Sequence, residues 1–307
     1  MSEPNLIEAP KRRGPLVAVV VVVVLAVIAA IVFLATRGDD DAAAGATKVK
    51  LGVVGASDPY WEDFKKAAAD ADIDVDIQDF SDYTQPNPSV SEGELDINQF
   101  QHIIYLAEYN VANDDDLTPI GATAIYPLSL YSQKHDSVED IKAGETVVVP
   151  DDDSNQARGL LVLQSAGLIE LKDGGSPYSS LDDVLPSSKV KVKALQADLT
   201  PTSLPDVAAA IINNDYVTKA GLDVDDAIAT DDASDPAAAP YINIFAVRNE
   251  DKDDPTLKKL VQIYHDTKAV TDGVKEVSGG TAVVVDTPVE DLRKTLADVE
   301  ADVRAKG

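Results

Sequence analysis

Residues 145–167, ETVVVPDDDSNQARGLLVLQSAG, constrain this chain more than any other stretch. Residues 146–150 form a short continuous apolar run bounded by Gly144 and Pro150, the pattern of a strand buried on both faces. After a polar loop the pattern becomes helical, with Ala157, Leu160, Leu161 and Leu163 as a packing surface, Ser154 as the expected N-cap and Gly167 as the stop. A strand, a loop and a helix in that order belong to a crossover of an α/β sheet. Asn155 and Arg158 stand three apart in the helix's first turn, where free N–H groups and the helix dipole favour an anion such as a carboxylate. Taken alone, Arg158 reads rather as a solvated arginine balancing Asp151, Asp152 and Asp153, since helix-start arginines mostly solvate a face.

The amino-terminal part has a different character. Residues 15–36 are uncharged and dominated by valine, alanine, leucine and isoleucine, long enough to cross a bilayer. A cleaved signal peptide has a shorter apolar core, roughly 7–15 residues, so an uncleaved anchor is expected, although residues 42–45 are small enough to suit a peptidase. Lys11, Arg12 and Arg13 precede the span and only Arg37 closely follows it, which by the positive-inside rule puts residues 1–14 in the cytoplasm and the rest outside. Residues 37–47, rich in aspartate and alanine, read as a linker. The 307-residue chain has a net charge of −28 and no cysteine. This excludes disulfides, thiolate chemistry and lipid attachment through cysteine, and argues against nucleic acid as a partner.

Beyond the linker, strand and helix patterns alternate. Strands are expected at 48–54, 73–80 and 95–100, and helices at 60–71, 88–92 and 104–110. Two segments begin at expected strand ends, FSDYTQPN at 80–87 and INQFQHIIYL at 97–106. They place Tyr83, Phe100 and His102 at the edge where such sheets bind ligands. The plainer readings are that Phe80 and Phe100 are core and that His102 is a helix-start histidine satisfied locally. Residues 125–132, broken by Pro127, read as a first crossover between units, and the loop 231–240 before YINIFAV as a second. Between them come strands at 146–150, 190–194 and 207–212, the last ending on Asn213, which suits either a cap or an ammonium partner. Asn243 lies on the return strand, a helix is expected at 255–265 and a strand at 281–285. The final helix at 288–304 carries a narrow apolar stripe, read as packing on its own unit rather than on a partner helix.

The phrases FSDYTQPN, GELDINQFQHIIYL, NQARGLLVLQSAGLIEL, AAAIINNDYVTKAGL and RNEDKDDPTLKKLV, in this order, resemble the NlpA family of substrate-binding proteins, from about residue 48 to 264. The resemblance implies an α/β, two-lobed periplasmic-binding-protein-like fold of type II with two interdomain crossovers, here preceded by one transmembrane helix. Lobe 1 would comprise 48–126 and 241–307, and lobe 2 would comprise 127–240. It implies capture of free methionine, L- and also D-, and its delivery to the permease and ATPase subunits of an ABC importer. Arg158, with Asn155 beside it, would hold the ligand carboxylate. Asn213 and Asn243 would lie near the α-amino and carboxylate groups, and Tyr83, Phe100 and His102 would surround the thioether. Trp61 is carried over from a loop that varies within the family. Ile103 and Ile104 stand where a proline is common, and the usual amino-terminal cysteine anchor is replaced by the helix at 15–36.

The residues fit this chemistry. A planar arginine fork binds carboxylates bidentately, and aromatic rings make favourable contacts with a thioether sulfur. The alternatives are another amino acid or a methionine-containing dipeptide, a membrane-tethered hydrolase, or an adhesion domain. No Gly-x-Ser-x-Gly or His-Glu-x-x-His motif is present, so no enzymatic activity is expected. His102, His135 and His265 lie in separate segments, so no metal is expected, and no cofactor either.

Overall fold

The computed structural model describes residues 46–306. The segments 1–14 and 15–36 and most of the linker lie outside the described residues, so the expected anchor is not among them. No helix among the described residues is long and apolar enough to cross a membrane.

Two five-stranded sheets organise the chain. The first contains β1 (Thr47–Val53), β2 (Ile73–Asp79), β3 (Ile97–His102), β4 (Thr118–Ala122) and β11 (Asn243–Val247), in the order β2-β1-β3-β11-β4. β1 pairs in parallel with β2 and β3, whereas β11 runs antiparallel to both β3 and β4. Helices α1 (Tyr60–Ala69), α2 (Pro86–Ser91) and α3 (Ile103–Asn113) make the crossovers expected of parallel strands.

The second sheet contains β6 (Ser129–Tyr131), β7 (Thr146–Pro150), β8 (Lys191–Leu195), β9 (Ala209–Ile212) and β10 (Ala229–Thr230), in the order β10-β6-β9-β7-β8. β7 is parallel to β8 and β9, and α4 (Asp153–Ser165) follows it directly. The chain therefore leaves the first sheet after β4 and the short β5 (Ala124–Ile125), builds the second, and returns as β11 between β3 and β4. α5 (Asn214–Val217) follows β9. After β11 come α6 (Pro255–Asp266), α7 (Lys268–Val277), β12 (Val283–Val284), which pairs with β5, and α8 (Val289–Lys306).

Each sheet has its own buried core. On the first, Val49, Leu51, Val53 and Phe245 pack against Phe64 of α1, Leu260 and Tyr264 of α6 and Val274 of α7. Its other face packs Ile103, Leu106 and Ala107 of α3 with Leu292, Leu296 and Val299 of α8. The second sheet buries Val147, Val149 and Ile211 under Leu160 and Leu163 of α4. Burying such side chains contributes about 1.5–3 kcal/mol each.

Three local expectations need correction. β4 and α7 have no counterpart in the sequence reading. β4, TPIGA, offers a proline and a glycine where a strand signal is sought, and its burial comes from the neighbouring β11. The N-cap of α4 is Asp152 rather than Ser154, its carboxylate accepting the Asn155 N–H at 3.0 Å. Ser154 lies inside the first turn and donates its hydroxyl to the same carboxylate at 3.2 Å.

Candidate functional site

β3, β7 and β9 run towards a cleft between the two sheets, and the residues at or just after their ends meet there. The space that no atom fills among these residues is about 440 Å³, a volume that includes open solvent. Tyr83, Phe100, His102, Asn155, Arg158, Asn213 and Asn243 all line it, joined by Gln101, Tyr105, Tyr126, Asn214 and Asp215.

Trp61 is elsewhere. It is 1% exposed in the core of the first sheet, edge-on to Phe64 with ring centroids 5.5 Å apart. Its place in the first turn of α1 turns the indole into the packing face rather than towards the cleft, so its expected ligand contact is withdrawn.

His102 stands at the end of β3 and caps α3, Nδ1 accepting the Tyr105 N–H at 3.2 Å. With Nδ1 an acceptor, the ring proton sits on Nε2, which reaches Asn155 Oδ1 at 3.2 Å across the cleft. The locally satisfied histidine and the cleft histidine are thus one residue. Burial, with a smaller contribution from the Arg158 charge, pushes its pKa down to about 3, so the imidazole is neutral at physiological pH.

Asn155 is a junction. Its Oδ1 also accepts Asn213 Nδ2 at 2.9 Å, while its own Nδ2 donates to Asp152 at 2.7 Å. Both lone pairs of Oδ1 are occupied, so the side chain ties β3, α4 and the end of β9 together. Asn213 Oδ1 is buried without a hydrogen-bond partner. An unsatisfied acceptor costs about 1–3 kcal/mol, which a ligand donor would recover. Asn243 lies opposite His102 in the β11–β3 register, just before a register shift between Ile244 and Phe245.

Arg158 is only 5% exposed. Its Nε and Nη2 donate to Asp231 at 2.5 and 3.1 Å, and Nη2 also reaches the Tyr126 carbonyl at 2.8 Å. The guanidinium carbon lies 4.3 Å from the centre of the Tyr241 ring, within cation–π range. Among the described residues Nη1 has no hydrogen-bond partner. Asp231 also accepts the Leu128 N–H at 2.8 Å, so the pair ties α4 to both segments that connect the sheets.

The aromatic wall is built by Tyr83, Phe100 and Tyr105, with centroid separations of 5.8 Å for Tyr83–Phe100 and 5.7 Å for Phe100–Tyr105. Behind it, Asn87 and Gln101 exchange amide hydrogen bonds of 2.7 and 2.6 Å, and Asn98 Nδ2 joins Asn87 Oδ1 at 2.9 Å. This buried network fixes the loop carrying Tyr83 to β3. Asp215 faces the wall from the second sheet, its Oδ2 accepting the Tyr83 hydroxyl at 2.7 Å. Among the described residues there is no cluster of His, Cys, Asp or Glu that could hold a metal.

The profile of the NlpA lipoprotein family matches residues 49–285. The chain belongs to the NlpA lipoprotein family. Among its NlpA relatives, the D-methionine-binding lipoprotein MetQ of Escherichia coli (strain K12) is 37% identical over 238 residues, 76% of this chain and 86% of that protein. Protein PG110 from Staphylococcus aureus superposes with a TM-score of 0.77 at 36% identity, over 82% of this chain and 99% of that one. A nutrient-binding protein from Burkholderia cenocepacia, solved bound to methionine, gives a TM-score of 0.71 at 36% identity, over 77% and 99%. The NlpA match continues past residue 264, where the resemblance read from the sequence ends, through α7 and β12. As a member of this family of substrate-binding proteins, the chain is not an enzyme.

Sequence reasoning missed Asp231, Tyr241, Tyr105, Tyr126 and Asp215. Asp231 and Tyr241 fall in and just after a segment read as a polar loop. Asp215 sits two positions after the asparagine that was singled out, where an acidic residue reads as an ordinary first-turn helix residue.

Proposed function

We propose that this protein is an extracytoplasmic substrate-binding protein that captures methionine in the cleft and presents it to the membrane and ATPase subunits of an ABC importer. The observation that carries this is the convergence of cationic Arg158, the unpartnered acceptor of Asn213 and the wall of Tyr83, Phe100 and Tyr105 on one cleft. A donor, an acceptor and an aromatic surface are what a zwitterion with an apolar side chain requires. Relatives named as D-methionine-binding lipoproteins and a neighbour solved with methionine support the same ligand.

In this reading Arg158 takes the carboxylate through Nη1, and Asn213 and Asn243 hold the polar end. Tyr83 and Phe100 enclose the thioether, while His102 and Asn155 keep the walls in register. The two sheets are the centres of two lobes, 48–126 with 241–307 and 127–240, which close as a type II binding protein about the segments near Pro127 and Pro240. Residues 15–36 anchor the protein as a single span with the amino terminus in the cytoplasm, substituting for the lipid anchor that the relatives' names imply.

Isothermal titration of the full-length protein with L-methionine, D-methionine and short methionine dipeptides tests the reading. Saturable binding of methionine, lost in Arg158→Ala, is expected. Binding of a dipeptide or another amino acid alone would replace the ligand, and wild-type affinity in Arg158→Ala would remove Arg158 from the carboxylate site.

A further inference from the structure

Asp215 is the one acidic side chain lining the cleft among the described residues, and the reading above gives it no task. It lies in the first turn after β9, two positions beyond Asn213, and is held from the opposite sheet by the Tyr83 hydroxyl on Oδ2. Among the described residues its Oδ1 receives no hydrogen bond. Lys219, a nearby cation, lies over the Tyr216 ring at 5.8 Å rather than on the carboxylate.

The polar groups of the cleft divide by sign. Arg158 can only donate, and His102 has both ring nitrogens engaged. Asn213 Oδ1 and Asp215 Oδ1 can only accept, and the former is buried with nothing to accept from. A carboxylate left in such a place is costly unless a cation reaches it. Burial lifts the Asp215 carboxyl to about 6 against the opposing charge of Lys219, and an ammonium group would lower it further.

We infer that Asp215 is a specificity-determining residue which, together with Asn213 Oδ1, forms the subsite for the ligand's ammonium group. The inference rests on the methionine reading and deepens it. A carboxylate at this position selects ligands carrying a protonated amine over carboxylic acids of the same shape, because the amine-free ligand leaves Asn213 Oδ1 buried and unpaired and sets its own carboxylate in a cleft with Asp215 without a cation between them.

The test is titration of the full-length wild type and Asp215→Asn with L-methionine and with 4-(methylthio)butanoate, the same molecule without its amine. The wild type is expected to prefer methionine strongly, and Asp215→Asn to reduce that preference by about tenfold or more while leaving the affinity for 4-(methylthio)butanoate unchanged. Tyr83→Phe, which removes the hydroxyl but keeps the carboxylate, is expected to weaken both ligands alike. Asp215→Ser repeats the measurement if the asparagine variant does not fold. An unchanged preference in the Asp215 variants, with wild-type methionine binding intact, overturns the inference alone. So does a loss of preference in Tyr83→Phe, since Asp215 would then act only through that tyrosine. A wild type that binds no methionine overturns the methionine reading and this inference with it.

Discussion

His102 on the first sheet and Asn155 on the second meet across the cleft, Nε2 to Oδ1 at 3.2 Å. The contact joins the end of β3 to the first turn of α4, while Nδ1 accepts the Tyr105 N–H, a bond that requires a neutral imidazole. Burial lowers the pKa from 6.5 to about 3, and protonation of Nδ1 at lower pH would break the cap on Tyr105.

Above pH 6.5 the ring is neutral in both folded and unfolded chains and adds no pH dependence. Below it the unfolded chain takes up a proton that the folded chain refuses until about pH 3, so stability falls as pH falls through that window. His102→Gln, which keeps a side-chain donor but cannot titrate, is expected to lose less melting temperature than wild type between pH 6.5 and 4. Parallel acid-induced melting curves for the two proteins would remove this role from His102.

The Arg158–Asp231 pair is the second test. Arg158 is nearly sealed and its partner's side chain is 27% exposed, so removing Asp231 leaves a buried cation without its counter-charge. Breaking a buried pair from one side costs about 3–5 kcal/mol, and the partial exposure here places Asp231→Asn nearer about 2 kcal/mol. Urea unfolding of Asp231→Asn, Arg158→Met and the double variant should give a favourable coupling of about 1–2 kcal/mol. Additive losses would mean that the tie to the Leu128 N–H matters more than the ion pair.

Much of this arrangement was legible in the sequence because it depends on local pattern. The apolar run 146–150 and the helical surface of Leu160 and Leu163 could only be strand and helix, and β7 and α4 lie there. Position at strand ends likewise pointed to Tyr83, Phe100, His102 and Asn213, and position in a helix's first turn to Asn155 and Arg158. Contacts between distant segments were not legible. Nothing local in ATDDASDP marks Asp231 as the partner of an arginine 73 positions earlier, since the pairing follows from β10 lying beside β6. Trp61 differs, because its ligand role came only from the resemblance, whereas its spacing with Phe64 and Ala68 already puts the three on one side of α1, the side that packs in the core with α6 and α7.

Glu108 offers a pH effect of opposite sign to that of His102. It lies on α3 and accepts the Ser154 N–H at 3.1 Å, linking the two sheets' helices. Burial, with the nearby Asp152 and Asp153 charges adding to it, lifts its pKa from 4.5 to about 8. The unfolded chain therefore releases this proton first as pH rises, and stability falls between pH 4.5 and 8. Glu108→Gln keeps the acceptor oxygen and removes the titration. It is expected to be more stable than wild type by about 1–2 kcal/mol near pH 8 and equal to it near pH 4.5. A variant less stable than wild type at pH 8 would show that the charged carboxylate is favoured at the start of α4.

The carboxyl-terminal helix α8 tests whether its apolar stripe serves this chain or another. Leu292 is fully buried, Leu296 and Val299 nearly so, and all three pack against α3 and its neighbours. Asn110 of α3 donates to Glu300 at 2.9 Å, and near the end of the helix the Tyr178 hydroxyl reaches Asp302 at 3.2 Å with Lys306 over its ring. The first group is core and the second is an exposed polar fringe, so the two should separate in energy. Leu292→Ala is expected to cost about 3 kcal/mol in urea unfolding, and Asp302→Ala less than about 1 kcal/mol. If Leu292→Ala left stability intact and instead abolished a protein–protein association, the stripe would be a docking face. Its burial against α3 predicts that the loss is of stability.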